Sequence, residues 1–228
     1  MPRDTLTREQ IVRTAVELLD ADGLEGLNMR RLGQLLNSAA TAVYWHVKNK
    51  DNLVTLAGDR IWDEIKLPDL DTVDWRTAAT SMATDLHAMF TRHPWFVQAF
   101  ASHLFYGVGK ARHDDHNLAV YEAAGFVGAE ADQAAATVFT FVLGNATGDA
   151  ATASLTRRLS RDGGNAEDAL RDAMGQATEV AMQFPRLRSR LEGAAAAEYA
   201  AAPEDTFEFG LQALFDGLEN RLAARRPS

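Results

Sequence analysis

Apolar residues recur at helical spacing along almost the whole chain, and no segment alternates apolar and polar residues as a half-buried strand would. The first helical pattern opens at Thr7, which is placed to form a capping box with Gln10, and Gly23 supplies a stop signal. Its inward positions are Ile11, Ala15, Leu18 and Leu19. The pattern predicts an all-α fold that begins with an amphipathic helix.

Two shorter helices follow the first. Asn28 is placed to cap a helix over residues 29–36, and Asn37 and Ser38 interrupt the pattern before a third helix near residues 41–47. At 100° per residue, Val43 and Val47 share one side of this third helix. The opposite side carries Thr41 and Trp45. Two short helices joined by a tight turn predict a helix-turn-helix, with one face packed and the other offered outward.

Residues 26–32 (GLNMRRL) followed by residues 44–50 (YWHVKNK) resemble the DNA-binding domain of the tetracycline repressor (TetR) family. Residues 207–211 and 216–219 resemble, more weakly, the last dimerisation helix of many members. The resemblance implies three N-terminal helices that bind DNA and a larger C-terminal helical domain that binds a ligand and dimerises. We therefore expect a DNA-binding domain at residues 1–50, a connecting helix at 51–68 and a ligand-binding and dimerisation domain at 69–228.

The resemblance also implies contacts with DNA. Arg30 would meet a base or a phosphate, and the methyl groups of Ala40 and Thr41 suit base edges. Phosphate contacts would come from Tyr44 and His46, and Lys50 would add positive charge at a helix N-terminus, which already attracts phosphate. For Tyr44 and Trp45, partial burial in the core is the alternative interpretation. The full expected set is Asn28, Arg30, Ala40, Thr41, Tyr44, Trp45, His46, Lys48 and Lys50.

The turn of the motif departs from the family pattern. Asn37, Ser38 and Ala39 stand where the family usually has glycine, an aliphatic residue and a capping serine. Asparagine tolerates the left-handed conformation that glycine would adopt there. We expect Ser38 to cap the third helix one position early, so that this helix starts differently from those of other members.

Net charge is unevenly distributed along the 228 residues. The total is −9, but the first 50 residues hold seven Lys and Arg against six Asp and Glu, a net of +1, so the remainder carries −10. Binding to phosphate needs only a local positive patch, so the acidic total does not exclude a nucleic-acid partner. The chain contains no cysteine, shows no signal peptide and has no apolar run long enough for a bilayer. We expect a cytoplasmic protein.

Beyond the motif, helical patterns predict a fourth helix to about residue 66, a fifth from Trp75 and a sixth from Pro94 to about residue 106. Further helices are expected near residues 113–124, 130–153, 166–183 and 204–224, with a mobile loop at 154–164. The family resemblance implies that two apolar stripes pair with a second copy of the chain as a four-helix bundle. The predicted interface residues are Val138, Val142, Phe207, Leu211, Phe215, Leu218 and Leu222.

Methionine and aromatic residues in the middle of the chain are candidates for an apolar ligand cavity, although ordinary core packing is the plainer interpretation of each. Polar specificity could come from His87, Gln98, His103 or Asn145. The predicted ligand-binding set is Met82, Leu86, Met89, Phe90, Phe100, His103, Phe105, Tyr121, Phe139, Asn145 and Met174. His113 and His116 share a helical face beside two carboxylates, but an acidic solvent-facing helix start explains them better than a metal site.

These features favour a ligand-responsive transcriptional regulator, most simply a repressor that binds a palindromic operator as a homodimer and leaves it when a small, largely apolar molecule binds. Activation instead of repression is not distinguished by sequence. The alternative is a helical carrier of small molecules with a vestigial DNA-binding motif. No phosphate loop or nucleophile elbow is present, so neither catalysis nor a cofactor is expected.

Overall fold

The computed structural model describes residues 6–161, 165–192 and 195–224, and in these ranges the chain forms eleven α-helices, one 3₁₀ turn and no strand. The predicted all-α fold is confirmed. The chain divides into two compact units, Met1–Ala151 and Thr152–Ser228. Within the described ranges, no helix is both long enough and apolar enough to cross a membrane.

The first unit holds the helix-turn-helix and the helices that follow it. Its elements are α1 (Arg8–Gly26), α2 (Met29–Leu35), α3 (Ala40–Val47), α4 (Lys50–Ile61), the 3₁₀ turn (Trp62–Glu64), α5 (Trp75–Arg92), α6 (Pro94–Ala99), α7 (Val108–Ala124) and most of α8 (Ala129–Arg161). The second unit holds the end of α8 together with α9 (Ala166–Ala181), α10 (Pro185–Leu191) and α11 (Ala195–Ala223).

Helix α1 supports the motif. The Thr7 hydroxyl accepts a hydrogen bond from the Gln10 backbone amide at 3.2 Å, and the Gln10 side chain accepts one from the Thr7 amide at 2.9 Å, so the predicted capping box forms. The predicted stop, Gly23, has φ of 70° and kinks the helix, which then continues to Gly26. The core of the motif consists of the fully buried Ile11, Ala15, Leu19, Leu32, Val43, Val47 and Leu53.

Several predicted helix bounds are wrong. Helix α6 ends at Ala99, well before residue 106, because the chain turns Phe105 into the core between two exposed residues. The Phe105 ring lies 4.5 Å from the Phe96 ring and 5.1 Å from that of Phe100. Helix α7 begins earlier than predicted, at Val108.

The predicted loop at residues 154–164 is helical through Arg161, while residues 162–164 lie outside the described ranges. Serine and arginine alone do not end a helix; the Ser160 hydroxyl donates to the Thr156 carbonyl at 2.9 Å, a bond compatible with α-helix. Helix α10 was not anticipated from the sequence, and α11 begins at Ala195 instead of near residue 204.

The predicted interface residues differ in exposure. Val138, Val142, Leu211, Phe215 and Leu218 are buried within the single chain, while Phe207 and Leu222 are half-buried. Met174, which was predicted to bind ligand and not to form the interface, lies exposed on α9 in the second unit. Pairing of two chains through these residues stays a prediction.

Candidate nucleic-acid interface and ligand cavity

The turn between α2 and α3 brings the two helices unusually close. Asn37 adopts φ of +50°, the left-handed conformation expected of it, and the Ser38 amide donates to the Gly33 carbonyl at 2.8 Å. A Cβ added at Gly33 would lie 2.8 Å from the Ser38 oxygen, so no larger residue fits there without moving backbone. The expected cap by Ser38 is wrong. Ala39 occupies the N-cap position, and no side chain caps α3.

The outward face of α3 is polar and aromatic. Val43 and Val47 are completely buried, and Thr41, Tyr44, Trp45 and His46 are exposed on the remaining surface, with Ala40 half-buried at the start of the helix. Trp45 is 89% exposed and Tyr44 is 45% exposed, so neither aromatic residue belongs to the core. An indole this exposed does not stabilise the fold by burial. The outward face of α3 is therefore a surface suited to a partner.

The helix-turn-helix also carries basic side chains. Arg30 is exposed and pairs with no carboxylate among the residues that the structure describes, whereas Arg31 forms an ion pair with Asp22 at 2.5 Å. The Asn28 side chain accepts hydrogen bonds from the amides of residues 30 and 31, which occupies it as the cap of α2. The Lys50 ammonium donates to the Leu24 carbonyl at 2.9 Å, so Lys50 reaches a phosphate only by leaving that bond.

The backbone at Lys48, directly after α3, is strained. Its φ and ψ are 62° and −56°, and the Asn49 amide donates to the Val47 carbonyl at 2.7 Å across it, which makes a γ-turn of the rare kind with positive φ. The Asn49 side chain then caps α4 by accepting from the Asn52 amide at 2.7 Å. Strain of this kind is concentrated at functional sites, because the surrounding structure must hold it.

Two substitutions at Lys48 separate charge from strain. Lys48→Gly is expected to raise the free energy of unfolding by about 1 kcal/mol because glycine accepts positive φ, whereas Lys48→Ala keeps the strain and gains nothing. If Lys48 contacts phosphate, both variants lose duplex affinity by the same factor and show a shallower salt dependence than the unmodified protein. Thermal melting and duplex titration at several salt concentrations measure both effects. Equal melting temperatures for the two variants would contradict the assigned strain.

A cavity of about 380 Å³ lies in the first unit between the end of α6, α7 and α8, a size in the range of small-molecule sites. Its apolar lining comes from Phe100, Leu118, Ala135, Ala136 and Phe139, and its polar lining from Lys110, His113, Asp114, Asn117 and Asp132. A narrow gap toward α5 continues from it past Met82, Leu86 and Val138, and shares His113, Asn117 and Phe139 with the cavity.

The predicted ligand-binding residues are thus only partly brought together. Phe100 and Phe139 line the cavity, and Met82 and Leu86 line the gap behind it. Met89, Phe90, Phe105 and Tyr121 are buried without lining either space. The polar candidates bond elsewhere: Asn145 donates to the Phe141 carbonyl, Gln98 donates to the Ala150 carbonyl, and His103 contacts the Ser102 hydroxyl.

The polar wall of the cavity includes His113, for which an acidic, solvent-facing helix start was the favoured interpretation. That interpretation is wrong, because His113 is 4% exposed and α7 begins five residues earlier. The i,i+4 spacing of Lys110 and Asp114 signals the ion pair in this wall. The Lys110 ammonium bonds the Asp114 carboxylate and lies 5.3 Å from the centre of the Trp62 ring. Burial would raise the pKa of Asp114, but hydrogen bonds and charge from His113 and Lys110 outweigh it and hold the pKa below its usual value. Among the described residues, no group of three or more His, Asp or Glu side chains is arranged to hold a metal ion.

Trp62 connects this wall to the connecting helix. It stands in the 3₁₀ turn directly after α4, is 2% exposed, and its ring lies 4.7 Å from that of His113 and 6.4 Å from that of Phe139. The start of α7 is held against the same region, because the Asp59 carboxylate accepts from the Lys110 backbone amide at 2.9 Å. The cavity wall and the end of α4 therefore share side-chain contacts.

An exposed helix-turn-helix face joined through one helix to a separate small-molecule cavity defines a class of all-α, effector-binding transcription regulators. Comparison with known proteins identifies the family. Residues 67–222 match the model of the tetracyclin repressor-like C-terminal domain. Because that match covers more than half of the chain, the protein belongs to the TetR family of transcriptional regulators.

Individual relatives agree with this assignment. The chain is 31% identical over 233 residues to the HTH-type transcriptional repressor DrrR1 of Streptomyces coeruleorubidus, covering 99% of this chain and 82% of that protein. An HTH-type transcriptional regulator of Saccharopolyspora erythraea is 34% identical over 144 residues, which span 63% of this chain and 61% of that protein. The fold is similar to that of Streptomyces coelicolor ActR in complex with actinorhodin, with a TM-score of 0.75, 24% identity, and coverage of 95% of this chain and 96% of ActR.

Proposed function

We propose that this protein is a cytoplasmic repressor that binds a near-palindromic operator as a homodimer and leaves it when a small, largely apolar molecule occupies the cavity between α6, α7 and α8. The observation that carries the DNA-binding part is the outward face of α3, where Thr41, Tyr44, Trp45 and His46 stand exposed above the buried Val43 and Val47. The proposed division of labour is residues 1–50 for DNA, 51–68 for connection, and 69–228 for ligand and dimer. The function requires neither a cofactor nor a catalytic group.

The sensing part is supported by the size of the cavity and by the names of similar proteins. DrrR1 is described as a repressor, and ActR binds actinorhodin in its structure. Phe100 and Phe139 offer aromatic faces to a ligand, and Lys110, Asn117 and Asp132 offer polar groups that fix its orientation.

Coupling between the two sites would run through the end of α4. A ligand that displaces Phe139 or His113 also displaces Trp62, because the Trp62 ring packs beside each of the other two. Helix α4 starts directly after α3, the proposed recognition helix, so a tilt of α4 changes the position of α3. In a dimer, two recognition helices must meet successive major grooves about 34 to 36 Å apart, and a ligand that favours another spacing lowers affinity without touching DNA.

The required energy is modest. To reduce operator affinity a hundredfold, the ligand must bind the released state more favourably than the DNA-binding state by about 2.7 kcal/mol. The free energy of rearranging one ion pair and one aromatic contact at the cavity wall is of similar size.

Selection of DNA from a random duplex pool tests the proposal. The protein is incubated with the pool at about 150 mM salt, where non-specific binding is weak, and the recovered sequences are compared with those from an untreated pool. We expect enrichment of one two-fold symmetric sequence, which then serves as the probe for screening ligands by release. Absence of enrichment by folded, dimeric protein would favour a carrier of small molecules instead.

A further inference from the structure

A buried histidine stands where the helix-turn-helix meets the helices of the cavity. His93, 5% exposed, lies at the junction of α5 and α6 with a carboxylate at each ring nitrogen. Its Nδ1 is 2.6 Å from an oxygen of Asp20 on α1, and its Nε2 is 3.0 Å from an oxygen of Glu64 in the 3₁₀ turn. One imidazole ring thus bridges three separate elements of the first unit.

The bridge is complete only when the ring carries both protons. A neutral imidazole donates through one nitrogen and would turn the lone pair of the other toward a carboxylate. Burial alone would lower the pKa of His93, but the hydrogen bonds and charges of Asp20 and Glu64 outweigh it and raise the pKa above its ordinary value. For Glu64, burial is likewise outweighed by Arg92 and His93, so its pKa is lowered. Both directions favour the charged forms of His93 and Glu64 over the neutral forms.

The other groups that face His93 support the same arrangement. Arg92 on α5 donates two hydrogen bonds to the second oxygen of Glu64, at 3.0 and 2.6 Å, and Trp95 on α6 donates its indole N–H to Asp20 at 2.7 Å. Arg92 ties α5 to the 3₁₀ turn but makes no bond to α1. Of the two basic side chains, His93 alone therefore bonds both to α1 and to the 3₁₀ turn that follows α4.

The two elements bonded to His93, α1 and the 3₁₀ turn after α4, both connect to α3, the recognition helix. Helix α1 packs against α2 and α3, and α4 begins directly after α3. We propose that the imidazolium of His93 is a positioning residue that fastens this support to the α5–α6 corner in the DNA-binding state, and that loss of its proton weakens operator binding. The inference rests on the proposed function, because it takes the ligand-free conformation as the one that binds DNA.

The direction of the pH effect follows from linkage. A raised pKa in the DNA-binding state means that the contribution of the bridge is fully present at low pH and disappears as pH rises through that pKa. Duplex affinity should then fall about three- to tenfold as pH rises from roughly 6.5, the ordinary pKa of histidine, to about 8.5. His93→Gln keeps one donating nitrogen and cannot titrate, so its duplex affinity should vary less over the same pH range.

The experiment titrates full-length protein with the duplex recovered by selection, at fixed salt, for the unmodified chain, His93→Gln and His46→Gln. His46 lies on the proposed DNA-facing surface, so His46→Gln should retain the part of the pH dependence that belongs to His93. Arg92→Gln, which removes the two guanidinium hydrogen bonds to Glu64 without breaking the link to α1, serves as the matched control and should also retain this pH dependence. Identical pH slopes for the unmodified protein and His93→Gln would overturn the proposal.

A second measurement needs no variant and separates positioning from simple stabilisation. The pKa of His93 is followed by NMR in the free protein and in the complex with the selected duplex. By reciprocity, if the proton strengthens DNA binding, then DNA binding raises the pKa of His93, and an unchanged pKa would overturn the proposal even if His93→Gln fails to fold. Failure of the pool to yield any duplex would instead refute the proposed function itself.

Discussion

Replacing Tyr44 with alanine is expected to reduce affinity for the selected duplex at least about a hundredfold while leaving the free energy of unfolding almost unchanged. A hydrogen bond to a charged group is worth about 1.5 kcal/mol or more, close to a factor of ten. A symmetric dimer loses two such contacts, one in each half-site. Because the Tyr44 side chain is 45% exposed on α3, its removal opens no cavity in the core. Fluorescence anisotropy and urea denaturation measure the two quantities.

Tyr106→Ala is the matched control. Tyr106 is a tyrosine of even greater exposure, 68%, in the segment between α6 and α7 and outside the helix-turn-helix. Its truncation should leave duplex affinity unchanged. Equal losses of affinity in the two variants would show that the outward face of α3 has no special role in binding DNA. Unfolding of Tyr44→Ala would contradict the expectation that its free energy of unfolding is unchanged.

Replacing Trp62 with alanine is expected to lower the free energy of unfolding by about 3 to 5 kcal/mol, the range for large buried side chains. The indole is 2% exposed and contacts Phe96, His113 and Phe139, with the Lys110 ammonium over its face. Its loss removes the packing between the 3₁₀ turn and the cavity wall. Urea denaturation with an unchanged m-value would assign the loss to stability alone.

Trp62→Phe distinguishes packing from coupling. A phenyl ring retains most of the aromatic contacts, so this variant should lose less than about half of the stability lost by the alanine variant. Its duplex affinity should remain near that of the unmodified protein, while release by any ligand found with the selected duplex should weaken. A loss under about 1 kcal/mol in Trp62→Ala would mean that the connecting helix is not firmly packed on the cavity wall.

The local rules of helix formation account for what could be predicted. Thr7 with Gln10, Asn28 and Asn49 cap their helices as short-range patterns indicate, and Asn37 takes the left-handed conformation of its turn. The spacing of Val43 and Val47 was enough to orient α3. Each of these features depends on residues no more than four positions apart.

Long-range packing accounts for what could not be predicted. The end of α6 is set by the burial of Phe105 against Phe96, and the polar wall of the cavity arises where α7 meets α6 and α8. The bridge from His93 to Asp20 joins residues 73 positions apart, and no periodicity signals it. Ser38 failed as a cap because the close approach at Gly33 fixes the backbone that precedes α3.

Hydroxyl-radical footprinting of the selected duplex is the most direct test of the account. If two α3 helices enter successive major grooves, protection should fall on one side of the duplex in two equivalent half-sites whose centres lie about 10 base pairs, or 34 to 36 Å, apart. Tyr44→Ala should leave no protection at the same protein concentration. A footprint without two-fold symmetry, or one that Tyr44→Ala reproduces, would contradict recognition of DNA by a pair of α3 helices.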